Sequence, residues 1–238
     1  MISIIIPTLN EEKYLSNLLD SIAIQTYPNY EVIVVDASSG DRTVEVANGY
    51  EKKFSVTVIE GAEKNTSEQR NKGAEKAKGD ILIFMDADTR ISSSDFLLNI
   101  SKKFYRELIC AAVTNVYVEP KEEKFSDKIF HFMLNKLILF LNAVGGFGGR
   151  GGCQIIRKTV FEKVGGYNKN LMVAEDVDLY RRVAKKVKIH FLKHEKIYES
   201  PRRYRKEGYL KVIFKWIING IYSFLFKKSF SKDWIRVG

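Results

Sequence analysis

Four short runs of β-branched and aliphatic residues, separated by polar stretches of helical period, constrain the fold of this chain more than any other feature. Ile2 to Ile6, Glu31 to Asp36, Val56 to Glu60 and Ile81 to Met85 have the length and Val/Ile content of strands. Between the first two, Leu15, Leu18, Leu19 and Ile22 fall at i, i+3, i+4 and i+7, which predicts a helix over Glu11 to Ile24 with Asn10 as its N-cap. A second helix is predicted from Arg42 to Lys52. A third should run from Thr66, which has capping-box spacing to Gln69, and stop at Gly79. Strand and helix alternating through short connections predict an α/β domain: a mostly parallel central sheet with helices on both faces. Ligands of such sheets sit beyond the carboxyl ends of the strands.

After residue 90 the rhythm changes. A helix is predicted near Asp95 to Tyr105 and a strand near Cys110 to Val118, followed by an aromatic and aliphatic stretch from Phe125 to Leu141. A glycine cluster from Gly145 to Gly152 leads into the strand-like run Cys153 to Ile156. Then come a helix over Glu175 to Lys185, paired β-like runs at Lys188 to Leu192 and Lys196 to Glu199, and a strongly apolar stretch, Tyr209 to Phe226. No linker rich in Pro, Gly and Ser interrupts the 238 residues. One domain over 1–200 is expected, with a nucleotide-binding half (1–90) and an acceptor half (91–200), followed by a basic and aromatic amphipathic helical appendage over 201–238.

Each predicted strand end carries polar residues. Asp86-Ala87-Asp88 directly follows the apolar run that ends at Met85, so its carboxylates project from a defined edge, where hard oxygen ligands suit Mg²⁺ or Mn²⁺ on a diphosphate. Two acids in a turn also serve as a solvated cap for the next helix. Pro7-Thr8-Leu9-Asn10-Glu11 follows the first strand, Asp36 to Asp41 the second, and Arg70-Asn71-Lys72-Gly73 leads into the fourth. Singly, these are ordinary turns and caps; together they mark one rim.

As an ordered set, Pro7-Thr8-Leu9-Asn10-Glu11, Asp36-x-Ser38-Ser39-Gly40-Asp41-x-Thr43, Arg70-Asn71-x-Gly73, Asp86-x-Asp88 and Glu175-Asp176 resemble the motifs of family 2 glycosyltransferases with the GT-A fold, a Rossmann-like fold of nucleotide-diphospho-sugar transferases. The resemblance covers roughly residues 1 to 185. It implies an inverting, metal-dependent hexosyltransferase that takes its sugar from a UDP- or GDP-sugar. Carried over, Pro7, Thr8, Glu11, Asp36, Arg70 and Asp86 would bind the nucleotide, Asp36 at the base, and Asp88 with Asp86 would hold Mn²⁺ or Mg²⁺. Asp176 would be the general base, kept ionised by the macrodipole at the start of its helix. Gly151, Gly152, Glu175 and Asp176 would border the donor sugar and the acceptor, and Gly165-Gly166-Tyr167 also fits the family there.

Other signals bound the reading. Gly146-x-Gly148-x-x-Gly151 formally matches a dinucleotide fingerprint, but it follows a helix-like segment and precedes a strand, the reverse of what that fingerprint requires. A flexible loop beside the sugar fits better. The Gln-x-x-Arg-Trp motif of processive polysaccharide synthases is absent. Ser200-Pro201-Arg202-Arg203 stands in its place, where Arg202 and Arg203 offer guanidiniums to a donor or acceptor phosphate, unless this is simply a solvated basic turn. His190 and His194 read as strand histidines, with His194 a lesser candidate for a metal or phosphate contact.

The net charge of +10 favours anionic partners. The apolar segments at Ile129 to Leu141 and Tyr209 to Phe226 are interrupted by Lys136, Lys211 and Lys215 and flanked by Lys227, Lys228 and Lys232. That pattern predicts an anchor on an anionic membrane surface and not a spanning helix, with a core helix or a homodimer contact as the competing readings. The acceptor is then expected to be lipid-linked, a polyprenyl phosphate or a lipid-linked saccharide. Two isolated cysteines and no signal-peptide pattern predict a reducing compartment, with the protein peripheral on the cytoplasmic face of the membrane. A sugar-nucleotide pyrophosphorylase is disfavoured because no Gly-rich basic loop follows the first strand. Nucleic-acid binding is disfavoured because acids cluster at the predicted rim.

Overall fold

The computed structural model describes residues 1–145 and 148–231. In chain order its elements are β1 (Ile2–Thr8), α1 (Glu12–Ala23), β2 (Tyr30–Asp36), α2 (Thr43–Asn48), β3 (Val56–Ile59), α3 (Thr66–Lys76), β4 (Ile81–Met85), β5 (Thr89–Ile91) and α4 (Phe96–Arg106). The chain continues through β6 (Ala111–Tyr117), α5 (Phe125–Ala143), β7 (Cys153–Arg157), α6 (Lys158–Lys163), α7 (Glu175–Ala184), β8 (Ile189–Glu199), α8 (Arg202–Glu207) and α9 (Tyr209–Phe226).

One eight-stranded sheet has the order β3-β2-β1-β4-β7-β6-β8-β5. The four predicted strands form its parallel half, with Ile4 opposite Val32 on one side and Ile83 on the other. β7 runs antiparallel between β4 and β6, so the far half is mixed. Both faces of the parallel half are covered, which explains why its strands read as unbroken apolar runs. Ile4, Ile6, Val32, Val34, Ile81 and Ile83 pack under α1 and α4, while the alternate residues Ile5, Ile33, Val35, Leu82 and Phe84 pack under α3, α6 and α7. Gly73 permits the α3 contact: a Cβ there would stand 2.4 Å from Ile5 Cγ2.

Several local expectations are corrected. Asn10 is not the N-cap of α1; it has φ 56° and its Oδ1 accepts from Gly40 N at 2.8 Å, holding two rim loops together. α3 is capped by Asn65, which accepts from Glu68 N, while Gln69 donates to Thr8 O and Val35 O. α2 is only six residues long, and α3 ends at Lys76, before Gly79. The two late β runs are one strand, β8, whose register against β6 shifts between Thr114 and Asn115. Lys193 O and Glu195 O at that irregularity accept from Asn115 Nδ2, so local side-chain bonding replaces a turn.

Candidate active site

The sheet changes winding direction between β1 and β4, and the carboxyl ends of these neighbours open a crevice at that point. Much of the second motif builds the crevice and does not face it. Asp36 is buried: it accepts from Thr8 Oγ1 at 2.9 Å and from Ser39 N at 2.7 Å, and it does not line the cleft. Asp41 accepts from Thr43 N and Glu12 N, and Thr43 Oγ1 in turn accepts from Glu11 N at 2.8 Å. The loop thus fixes Glu11 at the lip, where its carboxylate receives both 2.8 and 2.9 Å bonds from Arg202 Nη2.

The cleft encloses about 420 Å³. Pro7, Thr8, Glu11, Arg70, Asp86, Asp88, Gly151, Gly152, Glu175, Asp176, Arg202 and Arg203 all line it, so all the predicted site residues except Asp36 meet there. Neither His190 nor His194 does.

Arg70 is buried and sealed between two carboxylates, Asp86 Oδ1 at 2.7 Å and Glu175 Oε1 at 2.8 Å, with its guanidinium 5.1 Å from the Tyr167 ring. From α3 it therefore ties the turn after β4 to α7, whose Glu175 lies 105 residues from Arg70 in the chain. Asn71 completes the tie by exchanging 2.9 Å bonds with the backbone of Tyr167. On the open side, a Cβ on Gly151 would stand 3.4 Å from Asp176 Oδ2 and 3.6 Å from Asp86 Oδ2. Any side chain at this glycine would fill the gap between the two acids.

Val177 N donates to Asp176 Oδ1 at 2.8 Å, as a helix N-terminus provides, which favours the ionised form. Burial outweighs the backbone bond and the carboxyl titrates above its ordinary value. Glu175 is likewise pushed up, to about 7, by burial and by Asp176 beside it. Burial pushes Asp88 up to about 7 as well, with Asp86, Glu11 and Glu199 repelling its charge against the pull of Arg202, whose Nε lies 3.1 Å away.

Among the described residues no three His, Cys, Asp or Glu side chains are grouped to hold an ion unaided. The donor set nevertheless fits Mg²⁺ or Mn²⁺. Asp86 and Asp88 are hard oxygen donors on one short turn, in a pocket with excess negative charge, and such ions commonly complete their shell with substrate phosphates and water.

Residues that sequence reasoning missed lie beneath the cleft and along one wall. Arg150 Nη2 binds Glu199 Oε1 at 2.5 Å and His131 Nδ1 at 2.9 Å, and Tyr204 donates to the same Glu199 oxygen. Because arginine only donates, His131 Nδ1 accepts and its proton sits on Nε2. A single charge inside the glycine cluster and a single histidine inside an apolar run were the available signals. An apolar part of the lining comes from Leu134, Leu137 and Leu141 of α5 and Trp216 of α9. The predicted loop residue Gly146 lies outside the described residues, as do Phe147 and Lys232.

A mixed sheet of this order, with acids gathered at the β1/β4 crevice, is the GT-A arrangement. Two solved structures share it. Staphylococcus aureus TarS 1-349 in complex with UDP-GlcNAc has a TM-score of 0.67 at 19% identity and covers 93% of this chain and 66% of that one. The Pyrobaculum calidifontis mannosyltransferase PcManGT, in complex with GDP-Man and Mn²⁺, has a TM-score of 0.68 at 20% identity, covering 91% and 64%. The sequence profile described as Glycosyl transferase family 2 matches residues 3–165, and the chain belongs to that family. An uncharacterized glycosyltransferase of Haemophilus influenzae is 32% identical over 193 residues, 75% of this chain. A poly(ribitol-phosphate) β-N-acetylglucosaminyltransferase, TarS of S. aureus, is 36% identical over 94 residues, 38% of this chain. The chain spans 60% of the length of the first and 16% of the second.

Proposed function

We propose that this chain is an inverting, metal-dependent glycosyltransferase that moves a sugar from a UDP- or GDP-sugar to a lipid-linked acceptor, a polyprenyl phosphate or a lipid-linked saccharide. The observation that carries the reading is the convergence of Asp86 and Asp176 on the open side of Gly151. That gap has a carboxylate of the Asp86/Asp88 pair on one side and a candidate base on the other.

Asp86 and Asp88 would hold Mn²⁺ or Mg²⁺. When bound, the ion supplies charge stabilisation for the departing nucleoside diphosphate. Pro7, Thr8 and Glu11 border the nucleotide. Arg202 and Arg203 stand at the same lip, where guanidiniums suit phosphate oxygens. Asp176 takes the proton of an acceptor hydroxyl as the new glycosidic bond forms and the sugar–phosphate bond breaks. If the acceptor is a phosphate, already ionised, Asp176 positions it instead. Arg70 neither binds nor transfers; it holds Asp86 and Glu175 in place.

Thermal stabilisation by UDP and GDP, with and without Mn²⁺, tests the donor half. A ligand at about 100 times its dissociation constant adds roughly 2.7 kcal/mol. One nucleotide should stabilise the wild type only with metal and leave Asp88→Ala unmoved. Asp176→Asn should keep that stabilisation and lose about 10²- to 10⁴-fold in transfer to a hydroxyl. No stabilisation by either nucleotide, or full turnover in Asp176→Asn, would sink the assignment.

A further inference from the structure

α5 and α9 are built inside out. The residues α5 buries are Asp127, His131, Asn135, Ile138 and Asn142, one stripe at helical spacing and mostly polar, whereas Phe125 (79% exposed), Phe132, Met133 and Phe140 face outward. α9 buries only Val212, Asn219 and Ser223 and exposes Leu210 (83%), Phe214, Ile221 and Phe224. Most of these buried polar groups have partners, His131 Nε2 being an exception. Asn135 bonds both Val116 N and Val116 O, Asn142 both Gly148 N and Gly148 O, and Asn219 both Lys215 O and Ser231 Oγ. Two helices from distant parts of the chain therefore turn mostly polar stripes to the protein and apolar ones to the outside. A soluble surface does the reverse.

The two helices form one face. Phe130 of α5 packs on Tyr209 and Trp216 of α9, with ring centroids 5.1 and 6.1 Å apart. Their charges agree in sign: α9 contains no acid, the one acid of α5 is buried Asp127, and Lys128, Lys136, Lys211, Lys227 and Lys228 are exposed. A twofold pairing of this face with a second copy would set lysines against lysines, whereas anionic lipid headgroups complement them. α9 has the length and mean hydropathy, 1.2, of a candidate spanning helix. Its 18 residues rise only about 27 Å, however, and Asn219 and Ser223 are held against the protein. With Asn219 and Ser223 buried on its inner side, only its outer face is open to lipid.

We propose that α5 and α9 together dock this chain on an anionic bilayer, and that the cleft opens toward that bilayer along its apolar wall, so that the hydrocarbon of a lipid-linked acceptor reaches in past Trp216. The second part rests on the transferase reading; the docking does not. Leu134, Leu137 and Leu141, which line the cleft, belong to the same helix as the exposed Phe132 and Phe140, so α5 carries apolar side chains both in the cleft and on the outer face.

The test uses vesicles of phosphatidylcholine with and without phosphatidylglycerol. The full chain should co-sediment with the anionic vesicles at low salt and lose most of that binding at high salt. The double variant Phe132→Glu with Phe214→Glu should bind about tenfold or more weakly while keeping its stabilisation by nucleotide. In Trp234→Phe, which leaves Trp216 as the sole tryptophan, vesicles with brominated acyl chains should quench the emission. No vesicle binding at low salt overturns the docking, as does a wild-type dimer in sedimentation that the double variant turns into a monomer. Vesicle binding without quenching of Trp216 overturns the path into the cleft. Absence of nucleotide stabilisation with vesicle binding intact would instead count against the transferase reading alone.

Discussion

α1 and α9 are both apolar-rich helices, and they bury opposite kinds of residue. α1 turns Leu15, Leu18, Leu19 and Ile22 onto the sheet, while α9 turns Asn219 and Ser223 inward and leaves Phe214, Ile217 and Ile221 outside. The same contrast separates the parallel half of the sheet, with its fully buried Ile, Val and Phe, from α5 with its buried Asp127, His131 and Asn135. In the first region the hydrophobic effect holds the structure together. In the second, α5 is attached through hydrogen bonds such as those of Asn135 to Val116, α9 meets it through the rings of Phe130, Tyr209 and Trp216, and the apolar surface faces outward. Composition alone cannot tell these apart, since both regions are rich in Ile, Leu and Phe.

The sharpest way to break this comparison is a matched pair of truncations. Phe84 is buried between Phe161 and Tyr167, with ring centroids 5.1 Å from each, so Phe84→Ala should cost about 3–5 kcal/mol in urea unfolding. Phe214→Ala, on the outer face of α9, should stay within about 0.5 kcal/mol in the same assay. An equal loss in both would mean that α9 is core.

His131 offers a smaller effect of about 3 kcal/mol, visible only through pH. Burial holds its pKa down to about 4, with Arg150 adding to this against Glu199. The unfolded chain takes up a proton below about pH 6.5 that the folded chain refuses, so this histidine's contribution is whole above that pH and is lost as pH falls toward 4. The acids Asp88 and Glu175, pushed up to about 7, act in the opposite sense over the same window, because the folded chain binds their protons first. His131→Gln isolates the histidine. Its stability should decline less than the wild type's between pH 7 and pH 5, and parallel curves would contradict the assignment.

Asn135 sharpens the comparison from the polar side. Asn135→Ala removes both bonds to Val116 and leaves a buried strand amide and carbonyl without them, an expected loss of about 1–3 kcal/mol. Asn135→Leu, larger and apolar, should not rescue it. Rescue would show that the buried stripe needs volume and not hydrogen bonding. Smallest of all, Lys211→Glu should leave urea stability within about 0.5 kcal/mol and weaken anionic-vesicle binding by about 1 kcal/mol or more.

The sequence by itself determined the parallel half. Its strands are apolar on both faces, and α1 is helical by spacing; these are local patterns that survive any tertiary arrangement. The rim motifs were legible for the same reason, since Asp86, Asp88 and Glu11 follow strand ends whose direction the sheet imposes. Three features depend on long-range contacts. Asp36 bonds Thr8 and Ser39 and does not line the cleft, while Arg70, which does line it, is held by Asp86 and by Glu175, a partner 105 residues away that cannot be read from spacing. The run after Glu199 reaches back as well: Arg202, expected in an appendage, bridges Asp88 and Glu11 and so forms part of the cleft. Last, the face that α5 turns inward was set by contacts outside the helix: Asn135 bonds the backbone of Val116 and Asn142 that of Gly148, which left Phe132 and Phe140 outside.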